Sequence, residues 1–131
     1  MPQIQVHTAD RLAFTDITDR VQQVITAADL RDGVCVLFCP HTTAGLTLNE
    51  NWDADVRHDM VRAFAELVPQ RRDFRHSEGN SPAHILASLV GSSLTLIVNQ
   101  GRLVLGTWQG IYLAEFDGPR TRTVHIQLLA S

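Results

Sequence analysis

The chain has 131 residues, 44 % of them hydrophobic, and a formal net charge of -3. That length and apolar content suit one domain with one core, and so small a charge gives no argument for an electrostatic partner such as DNA or an anionic membrane surface. All 11 positive charges are arginines, because the sequence holds no lysine. Lysine Schiff-base and lysine general-base chemistry are thereby excluded, and an anion must be met by arginine, histidine, backbone N–H groups or a metal.

In chain order, Gln3–His7 and Leu12–Thr15 read as short strands around a polar turn. From Asp16 the period changes. Ile17, Val21, Val24, Ile25 and Ala28 form one helix face, with Asp16 or Thr18 as its cap and Asp32-Gly33 as its stop. Val34–Cys39 is almost wholly apolar, the pattern of a central strand covered on both sides. After Pro40, Thr42–Leu48 alternates, with Leu46 and Leu48 on one side and Thr43, Thr47 and Asn49 on the other. Asp53–Val68 is an amphipathic helix with Val56, Met60, Phe64 and Leu67 inward, ended by Pro69.

A polar loop, Gln70–Asn80, leads to a short helix capped by Ser81, with Pro82 at its first position and Gly91 at its close. The rest reads as strand: Leu94–Val98, a turn at Gln100-Gly101, a long run Leu103–Phe116, a turn at Asp117-Gly118-Pro119, and Thr121–Leu129. Strands joined by short turns imply antiparallel pairing with helices inserted. The expected fold is therefore α+β: a single β-rich domain over residues 1–131 with two longer helices and one short one.

The two cysteines, Cys35 and Cys39, lie four apart on one strand. At about 3.3 Å per residue their Cα atoms are roughly 13 Å apart, too far for a disulfide, which needs less than about 7 Å. Free thiols fit a reducing compartment. Met1–Asp10 has neither the basic nor the apolar region of a signal peptide, and no apolar stretch approaches the ~18 residues of a membrane span. These features point to a cytoplasmic protein.

Of the six histidines, His58 lies on a charged helix face, and His7 and His125 sit in strands without a motif. His41, His76 and His84 stand in loops or at element starts among dense polar neighbours. His41-Thr42-Thr43-Ala44-Gly45 joins a buried strand to a half-polar one, and Asn49-Glu50-Asn51 closes that strand. Arg75-His76-Ser77-Glu78-Gly79-Asn80 precedes a helix whose first turn holds His84. Two readings stand side by side here. The helix N-terminus offers N–H groups and a positive dipole end to a phosphate or carboxylate, or Ser81 merely caps the helix beneath a polar surface. Gly106-Thr107-Trp108-Gln109-Gly110, inside a long strand, reads either as a bulge where a ligand or another chain approaches or as ordinary packing.

These blocks, with Ala83-His84, the run from Ser93 to Ile111 and Glu115-Phe116-Asp117-Gly118-Pro119-Arg120, stand in order along nearly the whole chain and resemble the YjbQ-like family. The resemblance implies a compact α+β domain that assembles as a homotrimer, and a secondary thiamine-phosphate synthase activity. By position it implies a polar site of His41, Thr42, Thr43, Asn49, Glu50, His76, His84, Trp108 and Gln109. In a trimer the Trp108 segment would line a cleft between subunits. Gln100 departs from the charged residue usual at that turn, and nothing in the resemblance makes Cys39 a nucleophile.

Three functions follow. One is a transferase joining a pyrimidine diphosphate to a thiazole phosphate. It has His41, His84 and Glu50 as catalytic groups and Thr42, Thr43, Asn49, Arg75, Asn80, Trp108 and Gln109 around the substrate. Arg75 and Arg120 would meet phosphate, and Glu50 would hold Mg²⁺. Another is a metal-dependent hydrolase or lyase with His41, His76 and His84 on Zn²⁺ or a similar ion and Glu50 as general base. The last is a non-catalytic metabolite-binding protein.

Overall fold

A computed structural model describes all residues, 1–131. Its strands are β1 (Gln3–His7), β2 (Ala13–Asp16), β3 (Gly33–Phe38), β4 (Ala44–Glu50), β5 (Ser93–Asn99), β6 (Arg102–Leu103), β7 (Gln109–Glu115) and β8 (Thr121–Ala130). Its helices are α1 (Thr18–Ala27), α2 (Ala54–Leu67) and α3 (Ser81–Val90). The strands form a five-stranded sheet of order β1-β8-β3-β5-β6 and a three-stranded sheet of order β2-β7-β4. Every pairing is antiparallel, so the α+β expectation holds.

Alternation along β7 explains the layering. Ile111 and Leu113 face one core with Cys35, Leu37, Leu96, Val98, Val124 and Ile126 from the larger sheet and Val21 and Ile25 from α1. Tyr112, Ala114 and Phe116 face a second core, closed by Ala83, Leu86 and Ala87 of α3 and by Met60, Val61 and Phe64 of α2. Period-2 alternation sends successive side chains of one strand into opposite cores. The small sheet is thus the middle layer, between the large sheet and helices α2 and α3.

That arrangement corrects several expectations. The strand covered on both faces is β7, not the Val34–Cys39 strand. In β3 only Gly33, Cys35 and Leu37 are buried, while Val34 and Val36 are half-buried and Phe38 is 46 % exposed. Leu103–Phe116 is not one strand. β6 stops at Leu103, and the chain turns through Gly106–Trp108, with Gly106 N–H donating to Gln109 Oε1 at 2.9 Å, before β7 begins. Leu67 is 59 % exposed, and Val61 and Val68 pack in its place. α1 and α3 both have ten residues, so only α2, with fourteen, is long.

Asp53 caps α2, its side chain accepting from Asp55 N–H at 2.9 Å. Asp16 serves α1 from two residues ahead, accepting from Thr18 N–H at 2.9 Å. Asn80, not Ser81, occupies the cap position of α3. Gln100 and Gly101 both have positive φ, 51° and 80°, so the β5–β6 turn has the left-handed geometry that suits a two-residue hairpin.

Candidate functional site

Two adjoining cavities open at the end of the sheets where β3 leads into β4, β8 begins and α3 starts. One, of about 370 Å³, is lined by Pro40, His41, Thr42, Thr43, His76, Glu78, Asn80, His84, Arg120 and Arg122. The other, also about 370 Å³, shares His41, Thr42 and His84 and adds Ala44, Ala87, Ser88, Gly91 and Ser92.

His41 stands where a strand pairing stops. The β3–β8 ladder ends with Phe38 opposite His125, so at Pro40 the chain leaves the sheet with the Thr123 N–H still to be satisfied. His41 Nε2 accepts that N–H at 2.9 Å. An acceptor Nε2 in a neutral ring places the proton on Nδ1. Burial, and then the positive charge of Arg122, lower the pKa of His41 and hold it neutral. It is therefore a fixed hydrogen-bond donor at the cavity wall.

Beneath it lies an ion pair that nothing in the sequence patterns singled out. Arg122 and Glu115 have side chains 4 % and 0 % exposed. Arg122 Nε donates to Glu115 Oε1 at 2.9 Å, and Nη2 donates both to Glu115 Oε2 and to Thr43 Oγ1, the latter at 2.8 Å. Glu115 also accepts from Thr8 Oγ1 at 2.7 Å and from Asp117 N–H at 3.1 Å. Burial alone would raise its pKa, but the hydrogen bonds from Arg122, Thr8 and Asp117 and the arginine's charge outweigh it, leaving the carboxyl below its ordinary range. All this fixes Arg122, which lines the cavity, and its Nη1 makes no hydrogen bond to protein. A charged residue inside the apolar run Ile111–Phe116 is the signal that could have found Glu115, while the packing of one sheet on the other that brings it to Arg122 has no local signature.

Arg120 is braced in a similar way. Its Nη2 donates to Asp117 Oδ2 and its Nε to Asp117 O, both at 2.8 Å. Asn80 Nδ2 donates to the same Oδ2 at 2.8 Å, which orients the amide and leaves Asn80 Oδ1 buried without a partner. Burial pushes the Asp117 carboxyl up, yet Asn80 and Arg120 hold it below its usual value.

At the first turn of α3, Pro82 has no N–H, and the amides of Ala83 and His84 both turn back to Asn80 O, at 3.0 and 3.4 Å. Only the Ser81 amide remains, so the helix end is a poor anion cradle. Arginine supplies the positive charge there. His76 and His84 meet edge to face, ring centroids 5.3 Å apart.

The expected site residues therefore divide. His41, Thr42, Thr43, His76, Asn80 and His84 share one cavity, joined by Arg120, Arg122 and Glu78. Arg75 is exposed and does not line it. Asn49, Glu50, Trp108 and Gln109 lie at the far end of β4 and β7, where Glu50 pairs with Gln109, about 20 Å along the strand from the cavity. Glu50 thus cannot act as base beside His41 and His84 of its own chain.

The three histidines do not form a metal-ligand set either. His41 Nε2 is committed to Thr123, and no group of three His, Cys, Asp or Glu side chains in the chain is placed to hold an ion. Cys39 is buried, which raises its thiol pKa and leaves it a poor nucleophile. Burial likewise pushes Cys35 up to about 11.

The far end forms its own cluster. Trp52 and Trp108, 79 % and 54 % exposed, meet with centroids 6.0 Å apart. Asn51 N–H donates to Trp108 O at 2.9 Å and Asn51 Nδ2 to Asp16 Oδ2 at 3.1 Å. Tyr112 OH donates to Glu50 O at 2.9 Å and accepts from Arg57 Nη2 at 3.0 Å. Of the remaining histidines, His58 and His7 are exposed, and His125 is half-buried with Nδ1 unpartnered.

Fold and cavity together define an antiparallel two-sheet α+β protein with a polar arginine–histidine pocket. The model of the family described as "UPF0047 protein YjbQ-like" matches residues 2–131, and the chain belongs to that family. It is 49 % identical over 127 residues to the UPF0047 protein YugU of Bacillus subtilis, covering 96 % of each chain. It is 38 % identical over 129 residues to a UPF0047 protein of Archaeoglobus fulgidus, covering 97 % and 99 %. Among solved structures, a YjbQ/UPF0047-family protein of Clostridium acetobutylicum superposes with a TM-score of 0.94 at 46 % identity, covering 98 % of this chain and 100 % of that one. A YbjQ-like protein of Sulfolobus solfataricus gives 0.93 at 33 % identity over 99 % and 96 %. These likenesses establish family and fold, and they carry no reaction with them. No helix is long and apolar enough to cross a membrane.

Proposed function

We propose that the arginine–histidine cavity binds a small phosphorylated metabolite and performs proton-transfer chemistry on it. The carrying observation is Arg122. A guanidinium held almost out of water by Glu115 and Thr43, lining the cavity with its Nη1 unbonded to protein, would serve as a preorganised anion site. Arg120, braced by Asp117, supplies a second cation. His41 Nδ1–H would donate to a substrate oxygen, and His84 is the group free to accept or deliver a proton, with His76 against it.

The transfer implied by the resemblance, pyrimidine diphosphate plus thiazole phosphate with loss of pyrophosphate, is one reaction of this class. The two arginines support it by meeting a diphosphate. Calorimetric titration with inorganic phosphate and pyrophosphate, followed by a pyrophosphate-release assay on the two precursors, tests the reading. Binding is expected to weaken at least about tenfold in Arg120→Ala. Turnover lost in a folded His84→Ala variant supports an enzyme, and ligand retention without turnover supports a binding protein.

A homotrimer is supported by the outer face of the large sheet. Phe38, Ile97 and Leu129 are 46 %, 62 % and 53 % exposed there, with Val34 and Val36 between them and no helix over them. Light scattering is expected to return three times the 14.6 kDa chain mass.

A further inference from the structure

The two chambers differ in chemistry as sharply as they adjoin in space. The first contains Arg120, Arg122 and Glu78 and no hydrophobic residue. The second has no arginine, aspartate or glutamate; apart from the shared His41, Thr42 and His84 it is walled by Ala44, Ala87, Ser88, Gly91 and Ser92. His84, Ala87, Ser88 and Gly91 follow the spacing of one helix face, so α3 runs from the shared imidazole into the uncharged chamber. Its floor is tied to both sheets. Gly91 O accepts from Leu46 N–H at 3.1 Å and Ser92 O from Cys39 N–H at 2.8 Å. The room there belongs to the backbone framework and does not depend on a loose side chain. A Cβ on Gly91 would meet nothing within 4 Å.

We propose that the two chambers form one elongated site for a phosphate monoester. The phosphate lies in the arginine chamber, and the uncharged organic group of the ester lies in the chamber walled by Ala87, Ser88 and Ser92. This places the ester oxygen, where the two parts join, beside His41 and His84, the residues common to both chambers. A free phosphate or a dianionic diphosphate tail has no use for the second chamber, and a ligand charged at both ends would leave one charge without a partner there. The inference rests on the anion site proposed above and names the ligand that site takes.

The test is calorimetric titration of the full chain with inorganic phosphate and with phenyl phosphate. Wild type is expected to bind phenyl phosphate at least about tenfold more tightly than phosphate, from the apolar surface the ring buries. Two substitutions at exposed positions, Ser88→Trp and Ser92→Trp, each fill the second chamber from a different wall. Either is expected to bring phenyl phosphate to within about twofold of phosphate, with phosphate affinity itself unchanged. Equal affinity for the two ligands in wild type, or an advantage for phenyl phosphate that survives both substitutions, overturns the two-chamber site while leaving the anion site standing. Failure of wild type to bind phosphate at all overturns the anion site and this proposal with it.

Discussion

Arg122 on β8 and Glu115 at the end of β7 form a two-point ion pair almost entirely out of water. Taking both charges from water is costly, and the cost is offset because every glutamate oxygen is hydrogen-bonded and the pair also holds Thr43. Glu115→Ala leaves a buried guanidinium without its counter-charge and is expected to destabilise the protein by about 3–5 kcal/mol. The midpoint of urea unfolding measures this. A loss below about 1 kcal/mol, the worth of an ordinary exposed pair, would mean the network is not a fixed scaffold.

Acid should expose the same coupling in two steps. His41 has a lowered pKa in the folded protein, so the unfolded chain binds more protons, and its contribution is complete above the unfolded value near 6.5 and lost as pH falls through the folded one. Glu115, also lowered, contributes above the unfolded carboxylate value near 4.3 and loses that contribution at lower pH. Thermal unfolding between pH 7.5 and 5 is expected to show a decline in Tm that flattens in His41→Gln, whose amide oxygen still accepts the Thr123 N–H. An identical slope in both proteins would remove His41 from the account.

Much of this was legible in the sequence, and what was not has a physical reason. The start of α2 near Asp53, the Gln100-Gly101 turn and the inward Met60 and Phe64 depend on neighbours a few residues away, so local pattern suffices. The cavity's histidines were likewise recognisable as polar residues at element ends. Glu115 and Arg122 stand on β7 and β8, strands of different sheets, and meet where the two sheets face each other, a packing that no local pattern announces. Glu50, Trp108 and Gln109 were grouped with His41 because they are near it along the chain or in the family's blocks. An extended strand carries its two ends far apart, so β4 separates its start from Glu50 by about 20 Å.

Trp108 and Gln109 of the same chain lie at that distant end and do not line the proposed anion site. Trp108→Ala and Gln109→Ala are expected to leave phosphate affinity within about twofold of wild type, since neither side chain lines the cavity. A loss beyond tenfold in either would bring a neighbouring copy's Trp108 segment into the site, as a trimer cleft would require.

With His41 Nε2 committed to a backbone amide, two imidazoles are left where three were expected to ligate. Elemental analysis of purified protein is expected to find the same negligible zinc content in wild type and in a His76→Ala/His84→Ala variant. Stoichiometric zinc in wild type that disappears in the variant would reinstate the metal-dependent reading.

The central claim is met most directly by a crystal structure of the protein grown with inorganic phosphate. The account predicts a phosphate in the cavity, with oxygens within hydrogen-bond distance of Arg122 Nη1 and of His41 Nδ1 and with Arg120 at its rim. A phosphate bound only elsewhere, such as at the Trp52–Trp108 end, with the Arg122 cavity holding none, would contradict it.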